Sequence, residues 1–290
     1  MDVSQNRFAV VTGGSRGIGK AIALGVARRG YDVAIIGRDE ERLVRTVDEL
    51  NAASAGAPPG GAPPGGTPVH RSYQADLAIP EGAGNVAREI ARDLPRVDLL
   101  VLNAGTVLSR SIAETTDEEW DAIFSLNVRA PFVMTRELLP LLRGEARESG
   151  DRPGAPSPGG APSPGGALSP GGGNGNARRG DRPGRIVVIG SVVSHAAYPS
   201  QGAYTASKHA LYGFTKVLAK ELHDEGIVVQ TVMPGGVATD LIHSVRPDID
   251  TSDLIRPEEV ADAVFTLLSQ EGNAITDEVR LRRPGKTPWG

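Results

Sequence analysis

Thr12-Gly13-Gly14-Ser15-Arg16-Gly17-Ile18-Gly19 follows the apolar run Phe8-Ala9-Val10-Val11 and opens a segment in which Ile18, Ile22 and Val26 recur every four residues. A β-branched run, a cluster of glycines and a four-residue apolar repeat predict a strand, a tight turn and a helix. Glycine lets such a turn bring its backbone close to a ligand. The helix that follows offers unpaired N–H groups and the positive end of its dipole, a setting suited to a pyrophosphate. The spacing is Gly-x-x-x-Gly-x-Gly, not the Gly-x-Gly-x-x-Gly of the commoner dinucleotide turn.

Outward from this unit the alternation continues. Residues 31–36, 69–74, 97–102, 185–189, 227–232 and 278–281 read as further strands, with helical patterns up to residue 50 and over 83–93, 117–143, 203–225 and 257–268. Apolar strands alternating with helices predict an α/β fold: a single doubly wound parallel sheet of about seven strands with helices on both faces, spanning residues 1–290 as one domain. Two low-complexity segments, 52–68 and 144–184, interrupt it with Ala-Pro-Pro-Gly-Gly and Pro-Gly-Gly-Ala repeats. They lack the apolar surface that would offset the entropy of ordering, so flexible insertions are expected. Each joins a helix to a strand, which puts it at the sheet edge away from where such folds bind ligands.

Composition narrows the chemistry. A net charge of -4 over 290 residues gives no electrostatic reason to bind nucleic acid or an anionic membrane. With no cysteine, and five scattered histidines, disulfides, thiolate nucleophiles and cysteine-bound metals are excluded, and no metal site is expected. The first seven residues hold no apolar signal core and no apolar run reaches bilayer length, so a cytoplasmic location without membrane partners is expected.

Three further motifs fall in order along the chain. Asn103-Ala104-Gly105 follows the fourth strand, Asn127 lies within the pattern 117–143, and Ser191 precedes Tyr204-Thr205-Ala206-Ser207-Lys208 by thirteen residues. Spacing of four on a helix sets Tyr204 and Lys208 on one face. Together with the glycine turn, these motifs resemble the short-chain dehydrogenase/reductase family, broadly its 3-oxoacyl-[acyl-carrier-protein] reductases, over nearly all of the chain outside the insertions. The resemblance implies a Rossmann-type fold and hydride transfer between nicotinamide and a carbonyl or alcohol substrate.

It also implies roles. Gly13, Ser15, Arg16, Gly17, Ile18 and Gly19 would surround the pyrophosphate, Asp76 and Leu77 the adenine, and Asn103, Ala104 and Gly105 the sheet beside the cofactor. Pro234, Gly235, Val237 and Thr239 would flank the nicotinamide, with residues 240–256 as a substrate lid. Ser191 would hydrogen-bond the carbonyl oxygen, Tyr204 protonate it, Lys208 hold the ribose, and Asn127 position a water. A free tyrosine has a pKa of about 10, so Lys208 is also expected to lower that of Tyr204. His195, Tyr198 and Gln201 are expected at the same pocket.

Charge bears on the cofactor. An acid ending the second strand would take the ribose 2′-hydroxyl, whereas arginine accommodates a 2′-phosphate. Here Gly37 and Arg38 stand at that end, and Arg16 is near in the glycine turn, so NADP(H) is favoured over NAD(H). Asp39 is the competing ribose partner. Apolar stripes on the patterns 117–143 and 203–225 point to a homodimer or homotetramer, since the family pairs these helices between subunits. The competing readings are a dinucleotide-sensing protein without chemistry and an NAD-dependent alcohol or sugar dehydrogenase.

Overall fold

The computed structural model describes residues 6–55, 68–145, 183–245, 248–270 and 272–287. Within them the chain runs β1 (Arg7–Thr12), α1 (Gly17–Ala27), β2 (Tyr31–Gly37), α2 (Glu40–Ala55), β3 (Arg71–Gln74), α3 (Gly82–Asp93), β4 (Leu99–Leu102), α4 (Asp117–Phe124), α5 (Ala130–Leu142), β5 (Arg185–Ile189), α6 (Gly202–Glu221), β6 (Val228–Pro234), α7 (Asp240–Val245), α8 (Pro257–Leu268) and β7 (Glu278–Leu281). The strands form one sheet in the order β3-β2-β1-β4-β5-β6-β7, every pair parallel.

Strand alternation explains why the central strands are apolar throughout. Phe8 and Val10 of β1 face a layer built by α3, α5 and α6, where Ile90, Met134, Leu138 and Leu211 are buried. Ala9 and Val11 face the opposite layer, where α1, α2 and α8 bury Ile22, Val26, Leu43 and Val264. Residues two apart on a strand share a face, so covering both faces demands an apolar residue at every position. Strand order reverses between β1 and β4, which opens a crevice at the carboxyl ends.

Two boundaries differ from the sequence reading. The long pattern 117–143 is not one helix: a π-helical stretch, Ser125–Arg129, separates α4 from α5. A wider turn of this kind is common at functional sites, and Asn127 lies in it. Residues 52–55 belong to α2 rather than to the first insertion. Residues 56–67 and 146–182, which carry the repeats, lie outside the described residues. The ends of the longer insertion meet, because the Gly184 amide donates to the Leu142 carbonyl at 2.8 Å. That junction lies between the end of α5 and the start of β5, at the edge expected for it.

Candidate active site

A cleft of about 430 Å³ opens at the carboxyl ends of the strands, lined by the glycine turn, the 103–106 segment, Ser191, Tyr204 and Lys208. At one end Gly13 and Gly17 hold φ of 65° and 53°, a region that favours glycine. A Cβ on Gly19 would stand 2.2 Å from the Gly13 carbonyl oxygen, so the turn closes only on a bare backbone. The first turn of α1 has neither a capping side-chain bond nor an acidic residue. Its N–H groups and dipole end are thus left for an anion, and this cradle fits a dinucleotide pyrophosphate.

Thr12 was not anticipated, yet it ties the turn to β4. Its hydroxyl donates to the Val101 carbonyl at 3.2 Å and accepts from the Asn103 and Ala104 amides at 2.9 Å each. Asn103 Nδ2 returns bonds to the carbonyls of Thr12 at 2.9 Å and Gly13 at 3.3 Å. The available signal was a polar residue ending an otherwise apolar strand.

At the end of the cleft beside β2, Arg16 and Arg38 both line it, as do Asp76 and Leu77. Arg38 pairs with Asp76 at 3.8 Å. A side chain at position 37 would approach Ser15 Oγ to 3.0 Å and Leu43 to 3.2 Å, so the strand end is closely packed there. Asp39 is turned to α2: its carboxylate accepts the Arg42 amide at 3.0 Å and pairs with the Arg42 guanidinium at 3.2 Å. Asp240, at the start of α7, pairs with Arg16 at 3.8 Å and Arg42 at 3.2 Å. The sequence reading missed Arg42, and it placed Asp240 at the start of the substrate lid without its pairing to Arg16.

At the other end, Ser191 follows β5 and caps a short 3₁₀ turn, Val192–Ser194, accepting the Val193 amide at 3.3 Å. Tyr204 lies in the first turn of α6 and Lys208 one turn later, its Nζ 6.0 Å from the tyrosine ring centroid. Lys208 is 6% exposed and donates to the Ile189 carbonyl at 3.2 Å. Burial pulls its pKa down to about 8. Burial pushes the Tyr204 phenol up, opposed by the Ser191 hydroxyl. Lys208, its Nζ 6.0 Å from the ring centroid, does not offset that burial.

Asn127 is wholly buried behind the cleft. Its Oδ1 accepts the Thr106 amide at 2.8 Å, and its Nδ2 donates to the Thr106 carbonyl at 2.9 Å and to Ser207 Oγ at 3.0 Å. Both amide hydrogens are engaged within the protein. Gly105 permits this approach, since a Cβ there would stand 3.1 Å from Asn127 Oδ1 and 3.6 Å from Lys208 Nζ.

Pro234, Gly235, Val237 and Thr239 line the cleft, and so do Asp240, Leu241 and Ile242 at the start of the lid segment. Residues 246–247 of that segment lie outside the described residues. Gly19 and Asn127 act from behind the surface rather than on it. His195, Tyr198 and Gln201 are not at the cleft. His195 packs on Tyr212 with ring centroids 4.5 Å apart and faces Glu278 at 3.9 Å, Tyr198 is exposed, and Gln201 bridges to Arg110. The 3₁₀ turn after Ser191 carries the chain away from the site before α6 returns it.

A glycine turn shaped for a pyrophosphate at one end of a cleft, and a serine, tyrosine and lysine at the other, define a class: the protein is an NAD(P)-dependent oxidoreductase. It belongs to the short chain dehydrogenase family, whose sequence profile matches residues 7–151 and 178–250, passing over the middle of the longer insertion. The chain is 30% identical to the rhamnolipids biosynthesis 3-oxoacyl-[acyl-carrier-protein] reductase of Pseudomonas aeruginosa, over 94% of this chain and 93% of the relative. It is 28% identical to the 3-oxoacyl-[acyl-carrier-protein] reductase FabG of Escherichia coli, over 94% of each chain. Among solved structures, the Pseudomonas aeruginosa RhlG/NADP active-site complex matches with a TM-score of 0.72 and 28% identity, over 98% of this chain and 99% of that one. A short chain dehydrogenase from Escherichia coli CFT073 complexed with NADPH matches with a TM-score of 0.71 and 26% identity, over 97% of both chains.

Proposed function

We propose that the protein is an NADPH-preferring carbonyl reductase, with a 3-oxoacyl thioester as the first substrate class to test. The observation that carries the cofactor choice is the adenosine end of the cleft. Arg16 and Arg38 face it, glycine rather than an acid stands at position 37, and Asp39 is engaged with Arg42. Two guanidinium groups suit a 2′-phosphate, whereas the acid that would take a free 2′-hydroxyl is absent from the strand end. Solved relatives carrying NADP or NADPH support the same choice.

The bound nicotinamide supplies the hydride, and the chain's own groups manage the oxygen. Ser191 donates to the carbonyl oxygen and Tyr204 releases its phenolic proton to that oxygen as charge develops. A phenol raised by burial stays protonated at neutral pH, which suits the reductive direction. Lys208, still largely an ammonium near neutrality with a pKa of about 8, attracts the ribose hydroxyls. Asn127 holds Thr106 in place behind Tyr204 and Lys208 and is assigned the positioning of a water beside them. The insertions are accessory to one catalytic domain. Phe132, Trp120 and Val217, exposed on α5, α4 and α6, mark the faces on which we expect a homodimer or homotetramer to form, in the cytoplasm.

The test is titration of NADPH and NADH against the wild type and Arg38→Asp, alongside NADPH oxidation with 3-oxoacyl thioesters, quinones, ketoses and keto-steroids. Arg38→Asp should weaken NADPH far more than NADH. An unchanged preference overturns the cofactor assignment. Tight NADPH binding without turnover of any carbonyl would instead favour the dinucleotide-sensing reading.

A further inference from the structure

We propose that Asp240 is a specificity-determining residue for the cofactor, a lid-borne carboxylate that competes with the nucleotide 2′-phosphate for Arg16 and so couples the lid to the type of cofactor bound. The inference rests on the NADPH reading above. It begins with how weakly the lid helix is held. α7 buries none of its residues, although Leu241 and Ile242 border the cleft. Its first turn is anchored by the Thr239 carbonyl, which accepts the Ile242 and His243 amides at 3.0 and 3.2 Å. Thr239 in turn sits against the glycine turn, where a Cβ on Gly17 would meet its Cγ2 at 3.1 Å. The charged contacts of this turn are those of Asp240 with Arg16 at 3.8 Å and with Arg42 at 3.2 Å.

Three acids stand near the cations of the adenosine end, and they differ in what carries them. Asp76 pairs with Arg38 from the loop after β3, and its Oδ1 also accepts the Ala78 amide at 2.9 Å, which ties it to its own loop. Asp39 is tied to α2 through Arg42. Asp240 sits on a helix with no buried residue, so it is the acid of the three whose carrier can move with least loss of packing. A phosphate drawn to Arg16 takes the place of one oxyanion with another and sets its own negative charge beside the Asp240 carboxylate. Either Asp240 withdraws, carrying the start of α7 with it, or phosphate binding is weakened. A cofactor without the phosphate leaves both ion pairs intact.

The side chains of Arg16 and Asp240 are 49% and 62% exposed, so solvent and salt screen the competition and its effect is several-fold rather than orders of magnitude. The experiment is calorimetric titration of NADPH, NADH, adenosine 2′,5′-bisphosphate and 5′-AMP into the wild type and Asp240→Asn at low and high salt. Asp240→Asn should tighten NADPH and the bisphosphate by roughly three- to tenfold at low salt, with NADH and 5′-AMP changed less than about twofold and the difference shrinking at high salt. Asp240→Glu should restore the wild-type ratio. Equal shifts for ligands with and without the 2′-phosphate, or no shift, overturn the proposal. The wild-type ratio of NADPH to NADH affinity, read in the same titrations, judges the cofactor reading separately. A wild type that prefers NADH, with a ratio that Asp240→Asn still moves toward NADPH, would sink that reading and leave this one standing.

Discussion

Replacing Lys208 with methionine isolates the energetic strain that the site imposes on the fold. Lys208 is 6% exposed, and burial lowers its pKa from 10.5 to about 8. The folded protein therefore gives up this proton more readily than the unfolded chain, so the buried ammonium destabilises the native state. That penalty is complete below about pH 8 and fades as pH rises toward 10.5. A shift from 10.5 to about 8, at about 1.4 kcal/mol per unit, amounts to about 3.5 kcal/mol at neutral pH. Methionine keeps most of the stem's packing and removes the charge. It also leaves the Ile189 carbonyl without its 3.2 Å donor, at a cost of about 1–3 kcal/mol that does not vary with pH. The informative quantity is thus the change in the stability difference between the two proteins. Urea unfolding of the cofactor-free proteins should show the advantage of Lys208→Met over wild type falling by about 2.5 kcal/mol between about pH 7 and about pH 10. A difference constant to within about 0.5 kcal/mol across that range would refute the assignment of a desolvated, titrating lysine.

Other consequences are open to simpler assays. Tyr204→Phe should lower turnover by roughly 10²- to 10⁴-fold while leaving the dissociation constant for NADPH nearly unchanged; near wild-type turnover would remove the phenol from proton transfer. Gly19→Ala, whose methyl would lie 2.2 Å from the Gly13 oxygen, should weaken NADPH at least about tenfold and lower the melting temperature, and unchanged binding would show that the turn adjusts freely. Replacing residues 146–182 with a short turn should leave kcat/KM within a few-fold, because the flanks already meet through the Gly184 to Leu142 bond. Shortening a loop of about forty residues to about five removes roughly three doublings of length, about 2 kcal/mol of closure entropy, so thermal stability should rise slightly. A large loss of turnover with NADPH binding intact would give the insertion a part in the substrate pocket.

Much of the fold and of the cleft was legible in the residues, for reasons that also explain what was not. Strands buried on both faces must be apolar at each position, so Phe8-Ala9-Val10-Val11 and Leu99-Leu100-Val101-Leu102 announce themselves. Spacing sets Tyr204 and Lys208 on one face, the family resemblance adds Ser191 and the glycine turn, and all of them line the cleft. The π-helical stretch around Asn127 was not visible in the local pattern, and the bond Asn127 makes within it reaches Thr106, 21 residues away. Asp240 and Arg42 are 198 positions apart, and no local pattern links them. His195, Tyr198 and Gln201 were misplaced because nearness to Ser191 in sequence says nothing about where a 3₁₀ turn aims the chain after it.

The Leu142–Gly184 junction divides more than the sequence. Ahead of it lie β3, β2, β1 and β4, and after it β5, β6 and β7, so one break in the longer insertion would separate the sheet into two contiguous halves that meet along the β4–β5 ladder. The glycine turn, Arg16, Arg38 and Asn127 would stay on the first piece, and Ser191, Tyr204, Lys208 and Thr239 on the second. Each half would carry residues of both ends of the cleft and neither could work alone. A protease cut or an engineered pair of termini there would turn the enzyme into two complementing fragments, whose recovered turnover would measure how firmly β4 and β5 hold the halves together.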